Sequence, residues 1–215
     1  MKWFRKAVTL VLAAVMILSC GMQAVASEKD LEAESAKNPD VYAWLTIPGT
    51  NINYPVCQST NDVYYLTHNV DKRLDANGAL YTESAYNSRT FADPVTVIYG
   101  HNMRSGKMFG HLQETFQRGF GGHDEAIVYM NGKTNIYKLF IALPVGANHI
   151  LYGRNFNDKN RYKRFIDELM NIRSMEVVKN GGITPTVNDN LLILSTCMGG
   201  GRTNERYIVV GKLVR

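Results

Sequence analysis

A thiol, an imidazole and a guanidinium carry the chemistry this sequence is equipped to perform. Cys197 ends the apolar run Leu191-Leu192-Ile193-Leu194, reads Leu-Ser-Thr-Cys, and opens onto Met198-Gly199-Gly200-Gly201. Nine residues on, Arg206 precedes a strand-like run, Tyr207-Ile208-Val209-Val210. A cysteine nucleophile needs a base or a positive neighbour that favours thiolate, then donors for the oxyanion formed on attack. Of His68, His101, His111, His123 and His149, His101 is the best-placed partner. It follows the run Val95-Thr96-Val97-Ile98-Tyr99 and then Gly100, so it enters a loop from a strand end, as Cys197 does. Groups far apart in sequence meet in space when they leave the same end of neighbouring strands. Arg206, always protonated and forked, suits an anionic oxygen. Arg202 is the rival arginine; its place in the glycine loop points to solvent.

The elements around these residues read as mostly β. Short β-type runs recur at Ile52–Val56, Gly78–Tyr81, Val95–Tyr99, Ala126–Met130, Thr134–Pro144, Leu191–Leu194 and Tyr207–Val214. Asn131-Gly132 between two of them is a hairpin signal. Many short strands at this spacing predict a closed barrel or a sandwich. Asp158 to about Met175 shows apolar residues at helical spacing, Tyr162, Phe165, Ile166, Leu169 and Met170, which predicts a helix packed on the barrel. A second short helix is expected from Lys107 to Phe116. Near the start, Ser27 to Asn38 reads as a helix with Ser27 and Asp30 at capping-box spacing. Pro39 then suits the first turn of another short helix, Asp40 to Leu45. Asp93, before Pro94, reads as a turn former.

Net charge is +5 over 215 residues, and Lys2, Arg5 and Lys6 supply three of those charges. Beyond residue 27 the count is 21 basic to 19 acidic, close to neutral, with no basic stripe interleaved with aromatics. Nucleic acid is therefore not expected as a partner. Met1 to Lys6 is basic, Ala7 to Leu18 is apolar apart from Thr9, and Ala24-Val25-Ala26 resembles a small-residue cleavage site. Residues 1–26 thus read as a signal peptide or membrane anchor. The stretch Ala7–Ala26 approaches the ~20 residues that span a bilayer, and the basic residues before it place the rest of the chain outside the cell. Ile17-Leu18-Ser19-Cys20 also loosely resembles a lipoprotein cleavage box. The expected localisation is the cell membrane, with one N-terminal anchor and an extracellular catalytic domain, or secretion if the leader is cleaved. Residues 27–45 are expected to form an N-terminal helical segment and 46–215 the catalytic barrel. With Cys20 in the leader, Cys57 and Cys197 remain, and an even pair in an exported chain invites a disulfide. No close Cys/His pair such as C-x-x-C suggests zinc, and no cofactor is expected.

The chain resembles the sortases, class B sortases in particular. Leu194-Ser195-Thr196-Cys197 is similar to that family's active-site signature, Arg206 to its essential arginine, and Tyr99-Gly100-His101-Asn102 to the segment carrying its histidine. Ile52-Asn53-Tyr54-Pro55-Val56, Tyr64-Tyr65-Leu66 and Met108-Phe109 are further matches, and the likeness runs over residues 38 to 215. It implies a closed sortase-type β-barrel of about eight strands, with N-terminal helices and one long helix inserted between late strands. It implies a cysteine transpeptidase that cleaves a sorting motif after threonine, forms a thioacyl-enzyme on Cys197, and transfers the protein to a peptidoglycan cross-bridge or stem-peptide amine. His101, Cys197 and Arg206 would be catalytic; Ser195 and Thr196 would line the substrate groove. Cys57 stands where relatives carry an aliphatic residue. Two alternatives stay open: a secreted cysteine hydrolase without transfer, and a non-catalytic barrel, bridged Cys57 to Cys197, that binds peptide or wall polymer.

Overall fold

Runs of β-branched and aromatic residues bounded by turns form nine strands in the computed structural model, which describes residues 30–200, 202 and 204–215. They are β1 (Val41–Thr46), β2 (Asn53–Cys57), β3 (Leu80–Tyr81), β4 (Val95–Tyr99), β5 (Glu125–Met130), β6 (Lys133–Gly146), β7 (Val178–Lys179), β8 (Leu191–Cys197) and β9 (Glu205–Leu213). The sheet order is β5-β1-β2-β3-β4-β8-β9-β6-β7, and β5 also pairs with β6. That pairing closes eight strands into a barrel and leaves β7 as an extra strand on β6. The β5–β6 hairpin turns at Asn131-Gly132, with Gly132 at φ 70°, a backbone that favours glycine.

The barrel interior is filled by side chains such as Leu45, Val56, Ile98, Val128, Leu139, Leu194 and Val209, all fully buried. A second apolar layer lies outside β4, β8, β9 and β6, where helix α3 (Lys159–Asn171) lays Tyr162, Phe165, Ile166 and Leu169 on the sheet. Asp158 caps α3 by accepting from the Asn160 and Arg161 amides. The Tyr162 hydroxyl lies 2.9 Å from the Pro94 carbonyl and 2.8 Å from that of Asp189. Pro94 immediately precedes β4 and Asp189 lies two residues before β8, so the helix fastens the starts of two adjacent strands. Helix α2 is short, Leu112–Phe116, and the expected start at Lys107 is not helical. Asp93 ties a turn, accepting from the Ser88 amide and hydroxyl.

Two expectations at the N-terminal side change. Residues 30–37 are helical (α1), but Asp40 to Leu45 is not a second helix: β1 occupies it, paired with both β2 and β5. Ala43 and Leu45 face the barrel core, while Val41 and Trp44 face a cluster with Leu31 of α1 and Tyr65. A strand buried on both faces loses the alternation that distinguishes it from a short helix. The expected cell-membrane localisation through one N-terminal anchor is corrected as well. Among the described residues no helix is long and apolar enough to cross a membrane. The three described helices are short, and α3 is charged on its outer face, with Lys163, Arg164, Asp167 and Glu168. The leader expected at residues 1–26, Cys20 and the Ser27 cap lie outside the described residues.

Candidate active site

β8 delivers the thiol. Leu191 to Thr196 are buried, and Cys197, the last residue of the strand, is exposed. β4 runs parallel beside it in a register that pairs Val95 with Leu191 and Tyr99 with Ser195. His101 follows two residues past the end of β4, and it lines the same cleft as Cys197. On the other side β9 runs antiparallel and pairs Arg206 directly with Cys197. Directly opposed residues on neighbouring strands hold their Cβ atoms ~5 Å apart on one face. The thiol thus pairs in register with the guanidinium and shares a cleft with the imidazole.

Local bonds fix this end of the sheet. The Gly100 amide donates to Ser195 O at 3.1 Å, the Thr196 hydroxyl donates to Gly100 O at 2.7 Å, and Asn102 Nδ2 donates to Cys197 O at 2.8 Å. His101 Nε2 lies 2.7 Å from Leu66 O. A carbonyl only accepts, so the hydrogen sits on Nε2, and Nδ1 is the nitrogen left for proton traffic. Leu66 closes a 3-10 turn, Tyr64–Leu66, and Gly78 packs beneath it: a Cβ there would come within 2.4 Å of Tyr65 O and 3.1 Å of His101 Cδ2.

These groups open into a cleft of about 230 Å³. Ser195, Thr196 and Cys197 lie along it, with Leu66 and His101, Tyr81 and Tyr99, and the stretch Ala147–Ile150 forming its walls. The Tyr81 and Tyr99 rings stack with centroids 5.4 Å apart, and burial pushes both phenols well above the usual tyrosine range. The five expected site residues therefore share one cleft, in unequal parts. Cys197 is exposed and Arg206 half-buried. Ser195 and Thr196 are only 2% exposed, and the Thr196 hydroxyl is spent on Gly100.

Arg202 is not a free solvent-facing charge. It forks onto Glu176 at 2.5 and 3.2 Å and also pairs with Glu205. Cys57 and Cys197 are both free thiols, Cys57 fully buried at the end of β2, so the bridged barrel does not form. Sequence reasoning named no partner to orient His101. The partner is a main-chain carbonyl, which carries no side-chain signature, although Leu66 stands in a segment already singled out. Asn102 and His149 carry no motif of their own, and only the contacts of Asn102 with Cys197 O and of His149 with Glu83 bring them to the site.

A sortase-domain family model matches residues 45–214. The chain belongs to the sortase family. It is 28% identical over 179 residues to Sortase B of Listeria monocytogenes, covering 82% of this chain and 71% of that protein. The X-ray structure of Clostridium perfringens sortase B superposes with a TM-score of 0.71 at 28% identity, over 86% of this chain and 99% of that one. The Staphylococcus aureus sortase B–substrate complex matches in fold, with a TM-score of 0.74 at 23% identity over 87% of this chain and 86% of that one. The protein is a class B sortase, a cysteine transpeptidase of cell-wall anchoring.

Proposed function

We propose that the cleft accepts the sorting motif of a surface protein and that Cys197 attacks the carbonyl carbon of its threonine. The Sγ–C bond forms as the thiol proton passes to His101, the oxyanion is held by Arg206, and the peptide C–N bond breaks as His101 gives that proton to the leaving amine. The thioacyl-enzyme is then attacked by an amine of a cell-wall peptide. His101 takes that amine's proton, the new amide forms, and the thiolate is released. Ser195 and Thr196 line the cleft as nearly buried residues, and the Thr196 hydroxyl is held by Gly100 O.

The observation that carries this reading is the placement around Cys197: Arg206 pairs with it directly on β9, and His101, two residues past the end of the neighbouring β4, lines the same cleft. Both roles demand geometry of that kind: the base must reach the proton it moves, and the oxyanion donor must face the forming charge. Two half-reactions on one thiol also need a site that discriminates between amine and water, and a largely apolar cleft with an exposed thiol suits that task.

The test is product analysis on fluorogenic sorting-motif peptides with and without candidate wall-peptide amines. An amide product that forms at the expense of the hydrolysed one as amine rises is expected; hydrolysis indifferent to amine would leave a cysteine hydrolase instead. Cys197→Ala is expected to abolish the thioacyl adduct with the fold intact. His101→Ala should lose about 10²–10⁴-fold in rate and Arg206→Ala about 10²–10³-fold. Arg202→Ala should fall far less; a loss equal to that of Arg206→Ala would assign the oxyanion role to the wrong arginine.

A further inference from the structure

One wall of the cleft, Ala147–Ile150, belongs to the connection between β6 and α3 and has no strand of its own. Two contacts across the chain hold it. At its start the Ala147 amide donates to Asn204 O at 3.0 Å, in the β8–β9 connection. Further along, the His149 ring works at both nitrogens. Nδ1 accepts from the Leu151 amide at 3.1 Å and the Tyr152 amide at 3.0 Å. Nε2 donates to Glu83 Oε1 at 3.0 Å, with Oε2 2.8 Å away. Only the tautomer with hydrogen on Nε2 satisfies all of these bonds together. The ring therefore folds its own loop into a tight turn and fastens that turn to a residue 66 positions away.

Glu83 is a firm anchor. Its side chain is 13% exposed, against 33% for His149. Its carbonyl accepts from the Tyr86 and Asn87 amides, and the next residue, Ser84, is held by Asp62 through both amide and hydroxyl. The Tyr99 hydroxyl lies beside the same carboxylate, and the Tyr86 ring packs on His149 with centroids 4.8 Å apart. A second cavity lies on the other side of the loop, against Phe165 and Leu169 of α3, and it too is bounded by Asn148, His149 and Ile150. The wall thus stands between two spaces, held at Ala147 by Asn204 and further along by the contact of His149 with Glu83.

We propose that His149 and Glu83 are positioning residues that clamp this wall and so set the width of the groove in which the peptide lies. Neither touches the reacting atoms; they act by keeping Asn148 and Ile150 against the substrate. The clamp bears on binding, so its loss is felt in KM rather than in the chemistry at Cys197. The peptide part of this inference rests on the reading that the cleft binds a sorting motif; the clamp itself does not.

The experiment uses the full chain with Glu83→Ala, His149→Ala, the double variant and Glu83→Gln, which keeps an oxygen for Nε2–H. Glu83→Ala leaves the local turn intact and cuts only the fastening. Hydrogen exchange should speed up at 147–152 in that variant while β4 and β8 stay protected. KM for a sorting peptide should rise about 5–20-fold in each alanine variant, with kcat within about twofold. The double variant should be no worse than the worse single, as two ends of one contact behave, and Glu83→Gln should restore most of the loss. The alkylation rate of Cys197 by iodoacetamide should match the wild type in all four, which also certifies the fold. Unchanged exchange in Glu83→Ala overturns the clamp. Faster exchange with unchanged KM, a fall in kcat alone, or additive losses overturn its role in the groove. If the wild type turns over no sorting peptide, the proposed function fails, while the exchange result still decides the clamp.

Discussion

Cys57 and Cys197 end their strands with the same side chain and opposite surroundings. Burial is the main cause that pushes the Cys57 thiol up to about 12, and only the thiolate is nucleophilic. Iodoacetamide at pH 8 is therefore expected to modify Cys197 and spare Cys57 in the native protein, reaching Cys57 only after unfolding. An alkylated Cys57 in the peptide map of the folded chain would contradict this. The two arginines also differ in place: Arg202 pairs with Glu176 and Glu205, and Arg206 stands across from the thiol with one guanidinium nitrogen donating to Glu205 O. At this scale Cys197, His101 and Arg206 were legible, because their side-chain types name their chemistry. The carbonyl of Leu66, the amide of Asn102 and the two-sided ring of His149 were not, since their roles come from what faces them rather than from what they are.

Strands and helices convert those residues into a site, and small changes inside them should travel. A Cβ on Gly100 would come within 2.4 Å of Leu80 Cδ2 and 2.7 Å of Phe109 Cδ2. Gly100→Ala is expected to cost about 1–3 kcal/mol in overpacking. It should also displace His101, and a misplacement of ~1 Å is enough to lose about 10²-fold in rate. A wild-type rate in that variant would show that the backbone before His101 has room to spare. Helix α3 offers a pH test. The Arg161 and Asn160 amides hold the Asp158 carboxyl below the usual aspartate range. A carboxyl lowered on folding contributes stability above its unfolded pKa and loses that contribution as pH falls through the folded one. The Tm gap between wild type and Asp158→Ala should therefore narrow in acid; a gap constant from neutral to acid would exclude the cap. The helix itself was legible from its apolar stripe, and β1 was not. Flanked by Pro39 and apolar on both faces, Val41–Thr46 offers no period to read, and only its two partners, β2 and β5, make it a strand.

Closure of the barrel depends on a hairpin, and the whole fold is the place to test it. Gly132→Val forces a side chain into a left-handed backbone at a cost of about 1–2 kcal/mol. Because β5 joins β6 to β1, exchange protection should weaken in β1, β5 and β6 together, with a lower Tm. Loss confined to the turn would mean that the barrel stays shut without it. The barrel class was legible because short strands and turn signals recur along the chain. Its strand order was not, since β4 and β8 meet across a separation of 96 residues and no local pattern announces a parallel pair. That pair has a consequence for how such a chain tolerates change. The alignment of β4 and β8 is decided by hydrogen-bond register, which moves only in whole residues, and by a helix that ties both strands at their far ends. The intervening stretch contributes no length to that alignment. Loops between the two strands are thus free to lengthen, shorten or exchange their side chains over generations, while the strand end that carries Cys197 and the one that leads into His101 stay side by side.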